Sequence, residues 1–161
     1  LKFEVKKKTS QSDVISVQSL VPRLFTSISA MDELLLLNDI VSKISDGGRS
    51  LKRNIPTLAF VHEWPEEKAR TLFGQATNDE VLCLVRLYPN KKDQILNLCP
   101  VRIKNIVSDD FARDDKSDIA TKNKHLSSLK LKMLKLINKG EVDLEAIFDE
   151  VDIKGGLRVA S

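Results

Sequence analysis

Residues 81–87 read VLCLVRL, a nearly unbroken apolar run in the middle of the chain. An apolar run this short favours a strand covered on both faces, as in a parallel sheet. Two further strand patterns lie at residues 57–62 and 101–107, and helical patterns separate the three segments. We therefore expect an α/β fold, in which helices flank a small, mixed, largely parallel sheet.

A second strong pattern is a helix over residues 31–44. Ser29 and Asp32 predict its N-terminal cap, and the Gly-Gly pair at 47–48 predicts its end. The apolar residues of this helix cover a broad arc, which requires deep packing against a sheet or cover by a partner. If a partner covers the helix, the predicted protein interface consists of Leu35, Leu36 and Ile40.

The last third of the chain predicts a helical pair. An apolar stripe from Leu126 to Ile137 forms the first helix, which Gly140 closes, and Asp143 caps the second. The preceding segment is polar and charged. This pattern predicts an α/β core over residues 1–108, a polar linker or surface loop over 109–124, and the helical pair over 125–161, packed on the core.

Charge is unevenly distributed along the 161 residues, although the net charge is only +3. Residues 121–140 contain six lysines and no acid, whereas residues 141–152 contain six acids and no base. A stripe of lysines could bind phosphates without reading sequence, or the two charged helices could simply complement each other. The predicted nucleic-acid-binding residues are Lys6, Lys7, Lys8, Lys124, Lys132, Lys135 and Lys139.

Signatures of catalysis are absent from the sequence: there is no phosphate-binding glycine loop, nucleophile motif or paired-histidine metal motif. The weak catalytic candidates are His62, Glu63 and Asp109, which follow or end predicted strands. Parallel strands would bring them to one sheet edge, where open α/β sheets bind ligands. We predict no cofactor and no metal site, and the apolar runs are too short to cross a membrane.

Part of the chain resembles a BRCT domain. The resemblance rests on residues 25–28, the helix to Ile44, the Gly-Gly pair, the strand at 58–62, the helix at 66–73 and the strand at 81–87. Their order of strand, helix, Gly-Gly, strand, helix and strand is similar to that of the family. The resemblance implies a protein-interaction module of nuclear, chromatin or DNA-repair assemblies.

The missing catalytic motifs, the apolar helix and the separated charge blocks favour a non-enzymatic protein-interaction domain of a larger intracellular protein, nuclear or cytoplasmic. Its partner is a protein, which could be a second copy in a homodimer. Two alternatives stay open. One is a nucleic-acid-binding domain that uses the basic helix at 124–139, and the other is an α/β enzyme with its site at the strand ends.

Overall fold

The computed structural model describes residues 28–44 and 49–149, and this part of the chain contains helices and no strand. Its α-helices are α1 (Ala30–Lys43), α2 (Arg49–Asn54), α3 (Glu66–Phe73), α4 (Asn78–Leu87), α5 (Lys92–Asn97), α6 (Val101–Phe111) and α7 (Ile119–Asn138). Two 3-10 helices, Leu58–Glu63 and Pro89–Lys91, join them, and residues 144–149 are also helical. The predicted α/β fold is therefore wrong, since all three expected strands are helical.

The apolar run at 81–87 forms α4 because of the residues that precede it. The Thr77 hydroxyl accepts a hydrogen bond from the Glu80 backbone N–H at 3.2 Å, which caps the helix. Val81, Leu84 and Val85 are fully buried at helical spacing, while Leu82 and Cys83 are half-buried. The run is almost entirely apolar because the helix is covered over a wide arc.

Similar reasons apply to the other two expected strands. Pro100 immediately precedes α6, in which Ile103 and Val107 are buried four residues apart while Val101 is 73% exposed. Residues four positions apart lie on the same face of a helix. Val101, Ile103 and Val107 are also separated by even numbers of residues, so the same apolar pattern fits a strand. The segment Leu58–Glu63 is a 3-10 helix, whose N-terminal cap is Thr57.

The BRCT-like topology is also wrong. It requires strands at 58–62 and 81–87, and both segments are helical. Residues 25–27 and the Gly-Gly pair at 47–48 lie outside the described residues.

The predicted helices are confirmed. In α1 the Ser29 hydroxyl accepts from the Asp32 N–H at 3.2 Å, as expected for its cap. α3 and α7 form where their patterns predict, and Gly140 has a positive φ of 76° just beyond α7. The predicted boundaries at residues 108 and 124 fall inside α6 and α7.

α4 and α7 are the central helices of the packing. α4 packs against α6 and α7, and α7 also packs against α1 and α3. The buried apolar residues form one cluster that extends along the chain from Ala30 to Phe148. α7 is thus held between α1 and α4, which leaves its remaining side free to carry exposed residues.

Candidate interaction surfaces

Two buried carboxylates bind lysines of α7. Glu33 on α1 is 1% exposed and accepts a hydrogen bond from Lys130. Glu80 on α4 is 2% exposed and accepts from Lys132 at 2.7 and 3.1 Å. Buried charges need such partners, so these two lysines serve the packing of α7.

A third lysine of α7 holds the segment between α6 and α7. Lys122 Nζ lies 2.7 Å from Asp115 Oδ2, and Arg86 Nη1 lies 3.2 Å from Asp115 Oδ1. The Arg86 guanidinium also donates to the backbone carbonyls of Asp110 and Arg113, at 2.9 and 3.1 Å. The hydrogen bond from Lys122, followed by that from the Ser117 N–H, lowers the pKa of Asp115 below its ordinary value.

A small cleft of about 90 Å³ lies beside these charges. Its lining residues are Met31, Cys83, Arg86, Leu87, Asp115, Lys122 and Leu126. Such a volume holds a few water molecules and is far below that of a typical small-molecule site. Its charged groups already bind one another, so the cleft has the features of a packing defect at a surface ion-pair network.

The outward side of α7 carries what we call the lysine stripe: Lys124, Leu131, Lys135 and Lys139. All four residues are exposed, and Leu131 keeps 58% of its surface. At 100° per residue they fall within an arc of about 80°. In the described part of the chain, no carboxylate forms an ion pair with these lysines.

Of the predicted nucleic-acid-binding residues, the structure brings Lys124, Lys135 and Lys139 together on this stripe. Lys132 lies on the same helix, but its ammonium is bound to Glu80. Lys6, Lys7 and Lys8 lie outside the described residues. Among the described residues, the acids that pair with α7 come from α1, α4 and the segment before α7, and none of them lies in residues 141–149.

Apolar residues at the surface of α1 and at its C-terminal cap form a second feature, which we call the α1 ridge: Leu35, Leu36, Ile40 and Ile44. Leu35 is 46% exposed, Leu36 45% and Ile44 37%, while Ile40 is half-buried against the core. The adjacent Leu34 and Leu37 are almost completely buried on the opposite side. Of the predicted interface residues, Leu35 and Leu36 thus lie at the surface of the helix, whereas Ile40 packs partly against the core.

The three catalytic candidates are not joined by a sheet edge, because the described residues contain no sheet. Glu63 accepts a hydrogen bond from Lys52 at 2.9 Å, and Asp109 is exposed on α6. Burial, the largest of several influences, lowers the pKa of His62 below its ordinary value. Among the described residues, no three His, Cys, Asp or Glu side chains are grouped so that they could hold a metal ion.

The chain was compared with protein-family models, with curated proteins and with solved structures. None of the three comparisons gives a match. In the described part of the chain, every helix is too short or too polar to traverse a lipid bilayer. The surfaces of the molecule therefore have to be interpreted from their own chemistry.

Sequence reasoning missed the buried pairs Glu33–Lys130 and Glu80–Lys132. A signal was present for the first pair. Glu33 shares the apolar side of α1 with Leu37, and Lys130 shares the apolar side of α7 with Leu126 and Ile137. An acid and a base, each on the buried side of its own helix, are complementary. The pair Glu80–Lys132 does not follow from the sequence prediction, because a strand at residues 81–87 gives Glu80 no place on a helix face.

Proposed function

We propose that this domain is a non-enzymatic helical protein-interaction module, which binds an amphipathic helix of a partner protein through the α1 ridge. One observation carries the proposal. Leu35 and Leu36 are both nearly half exposed, about 100° apart around a helix whose opposite face is buried in the core. Large apolar side chains grouped at a surface mark interaction sites more often than isolated ones do.

The spacing of the α1 ridge favours a helical partner. Leu36 and Ile40 lie four residues apart, which places them in one row along the helix surface, and Ile44 follows directly after the helix ends at Lys43. Rows of this kind pack into the grooves between side-chain rows of another helix. Leu35 widens the apolar surface beside the row.

The acids within the α1 ridge favour a partner that has basic residues next to its apolar ones. On the helical wheel, Asp32 and Asp39 lie between Leu35 and Leu36. Lys43 forms a 2.9 Å ion pair with Asp39, and both side chains are more than half exposed. An exposed pair of this kind is easily exchanged for a pair with a partner, because it contributes little to stability.

The alternatives have less support. An enzyme would need His62, Glu63 and Asp109 to share a site, yet Glu63 is engaged by Lys52 and Asp109 lies on α6. A nucleic-acid surface on α7 would lose Lys132 to Glu80. The free thiols of Cys83 and Cys99 are compatible with a protein of a reducing intracellular compartment.

The test is a selection of helical peptides on the wild-type domain, followed by affinity measurements on two double variants. Leu35→Ser/Leu36→Ser removes the two most exposed apolar side chains of the α1 ridge. The matched control is Val101→Ser/Ile119→Ser, which removes two apolar side chains that are 73% and 68% exposed elsewhere. We expect the first variant to weaken the selected peptides by about tenfold or more and the control by less than about twofold.

Equal affinities for the wild type and the Leu35→Ser/Leu36→Ser variant would contradict the proposal. Sedimentation of the same variants identifies the case in which the partner is a second copy. The wild type would then associate at concentrations where Leu35→Ser/Leu36→Ser remains monomeric.

A further inference from the structure

We propose that the lysine stripe of α7 is a second docking surface, for an acidic amphipathic helix that places an apolar side chain on Leu131. This surface lies on another helix than the α1 ridge, so the inference is independent of the proposed function. It concerns lysines that pair with no carboxylate in the described part of the chain.

The fold divides the lysines of α7 into two groups. Lys122, Lys130 and Lys132 are turned toward the rest of the domain, and each binds a carboxylate there. Lys124, Lys135 and Lys139 are exposed. Since Ile119–Asn138 contains no acid, the helix itself has no negative charge to offset these three lysines, and no other carboxylate among the described residues pairs with them. A positive surface of this kind attracts an acidic partner.

Leu131 gives the stripe an apolar centre. At about 1.5 Å of rise per residue, Leu131 lies about 10 Å along the axis from Lys124 and about 6 Å from Lys135. Its side chain is 58% exposed. A partner that fits has one apolar residue for Leu131 and carboxylates on both sides of it, separated by about 16 Å. A helix with acids about eleven positions apart meets this requirement.

The same features favour a peptide over a nucleic acid. A phosphate backbone would pair with the lysines but would leave Leu131 against charged oxygens, without an apolar neighbour. The stripe also contains no aromatic side chain on which an unpaired base could stack. Binding of a nucleic acid to the lysine stripe is therefore one of the outcomes that the test distinguishes.

The experiment measures binding of a fluorescently labelled designed peptide by anisotropy. The peptide is an acidic helix with a central leucine and glutamates on both sides, and a second peptide has alanine in place of that leucine. The variants are Lys124→Glu/Lys135→Glu and Leu131→Ser. The matched control is Arg102→Glu/Lys116→Glu, which changes the net charge equally at two other exposed positions.

We expect Lys124→Glu/Lys135→Glu to weaken the leucine peptide by about tenfold or more, and the control by less than about threefold. Leu131→Ser is expected to weaken the leucine peptide severalfold and to leave the alanine peptide unchanged. Circular dichroism and urea midpoints verify that each variant is folded.

Three results would overturn the inference. In the first, the control variant weakens the peptide as much as Lys124→Glu/Lys135→Glu does, so that only net charge matters. In the second, a 20-base-pair duplex binds more tightly than the peptide, in a manner that depends on Lys124 and Lys135 but not on Leu131. The stripe would then be a nucleic-acid surface. Absence of peptide binding even at about 1 mM would equally overturn it.

Discussion

Lys132 on α7 donates to both carboxylate oxygens of Glu80 on α4, at 2.7 and 3.1 Å. The Ser128 hydroxyl, one turn away on α7, donates to the same carboxylate at 3.1 Å. The backbone N–H of Glu80 meanwhile donates to the Thr77 hydroxyl that caps α4. One residue therefore takes part both in the start of α4 and in the attachment of α7 to it.

The first prediction concerns this pair. Glu80→Gln keeps the shape of the side chain but leaves the Lys132 ammonium without its counter-charge. We expect a loss of about 2 kcal/mol in the free energy of unfolding, less than for a fully buried pair because Lys132 is partly exposed. Urea denaturation measures it. Glu66→Gln is the control, since Glu66 pairs with Arg70 at an exposed site, and should cost below about 0.5 kcal/mol. Equal losses in the two variants would contradict the role of Glu80.

A second prediction tests the two sides of α1. Leu34 is 1% exposed and Leu36 is 45% exposed. Leu34→Ala should lower the free energy of unfolding by about 3 kcal/mol, because it removes buried methyl groups and leaves a cavity. Leu36→Ala should cost less than about 1 kcal/mol. If the two substitutions were equally destabilising, the side of α1 assigned to the surface would be wrong.

A third prediction is a pH dependence caused by Asp115. The pKa of Asp115 is lower in the folded protein, where Lys122 and the Ser117 N–H bind its carboxylate, than in the unfolded chain. Its ion pairs therefore stabilise the fold fully above the unfolded value of about 3.9, and this contribution is lost as the pH falls through the folded value. Stability measured from pH 6 to pH 2 should show wild type above Asp115→Asn at the upper end.

The difference between those two proteins should shrink as the pH drops below about 4. Asp93→Asn, an exposed substitution on α5, serves as the control and should show a much smaller difference at pH 6. A gap between wild type and Asp115→Asn that stayed constant down to pH 2 would exclude the ionised carboxylate as its source.

A fourth prediction concerns the reactivity of the thiols. Burial raises the pKa of Cys99 to about 12. Burial, followed by the nearby charge of Asp115, also raises the pKa of the half-buried Cys83. The thiolate is the reactive form, so at pH 8 a disulfide reagent should modify Cys83 slowly and Cys99 only after unfolding. Cys83→Ser should therefore abolish the reaction of the folded protein. Rapid modification of Cys99 without denaturant would contradict its burial.

The helices that the sequence predicts correctly have signals within their own residues. α1 has Ser29 and Asp32 at its start, and α7 has Gly140 at its end. α4 had such a signal in Thr77 and Glu80, but a short buried helix and a buried strand are equally apolar, so the run at 81–87 alone could not separate them. The capping pattern of Thr77 and Glu80 favours a helix over a strand for this segment.

The features of the two surfaces likewise divide into those that the local sequence predicts and those that depend on contacts between distant residues. Leu35, Leu36 and the outward direction of Lys124 and Lys135 follow from helical periodicity, which needs only the local sequence. The engagement of Lys132 by Glu80 depends on two helices that are 52 residues apart in sequence. No local pattern reports such a contact. The binding roles of the α1 ridge and of the lysine stripe remain predictions.

The most direct test of the central claim is to locate a selected helical peptide on the domain by NMR. Titration of the peptide into the isotope-labelled wild type reports which backbone amides change their chemical shifts. We predict that the largest changes lie along residues 32–44, with Leu35, Leu36 and Ile40 among them, and that Leu35→Ser/Leu36→Ser removes them. Changes concentrated at Val101 and Ile119, or changes along α1 that survive in that variant, would contradict the claim that the α1 ridge is the binding surface.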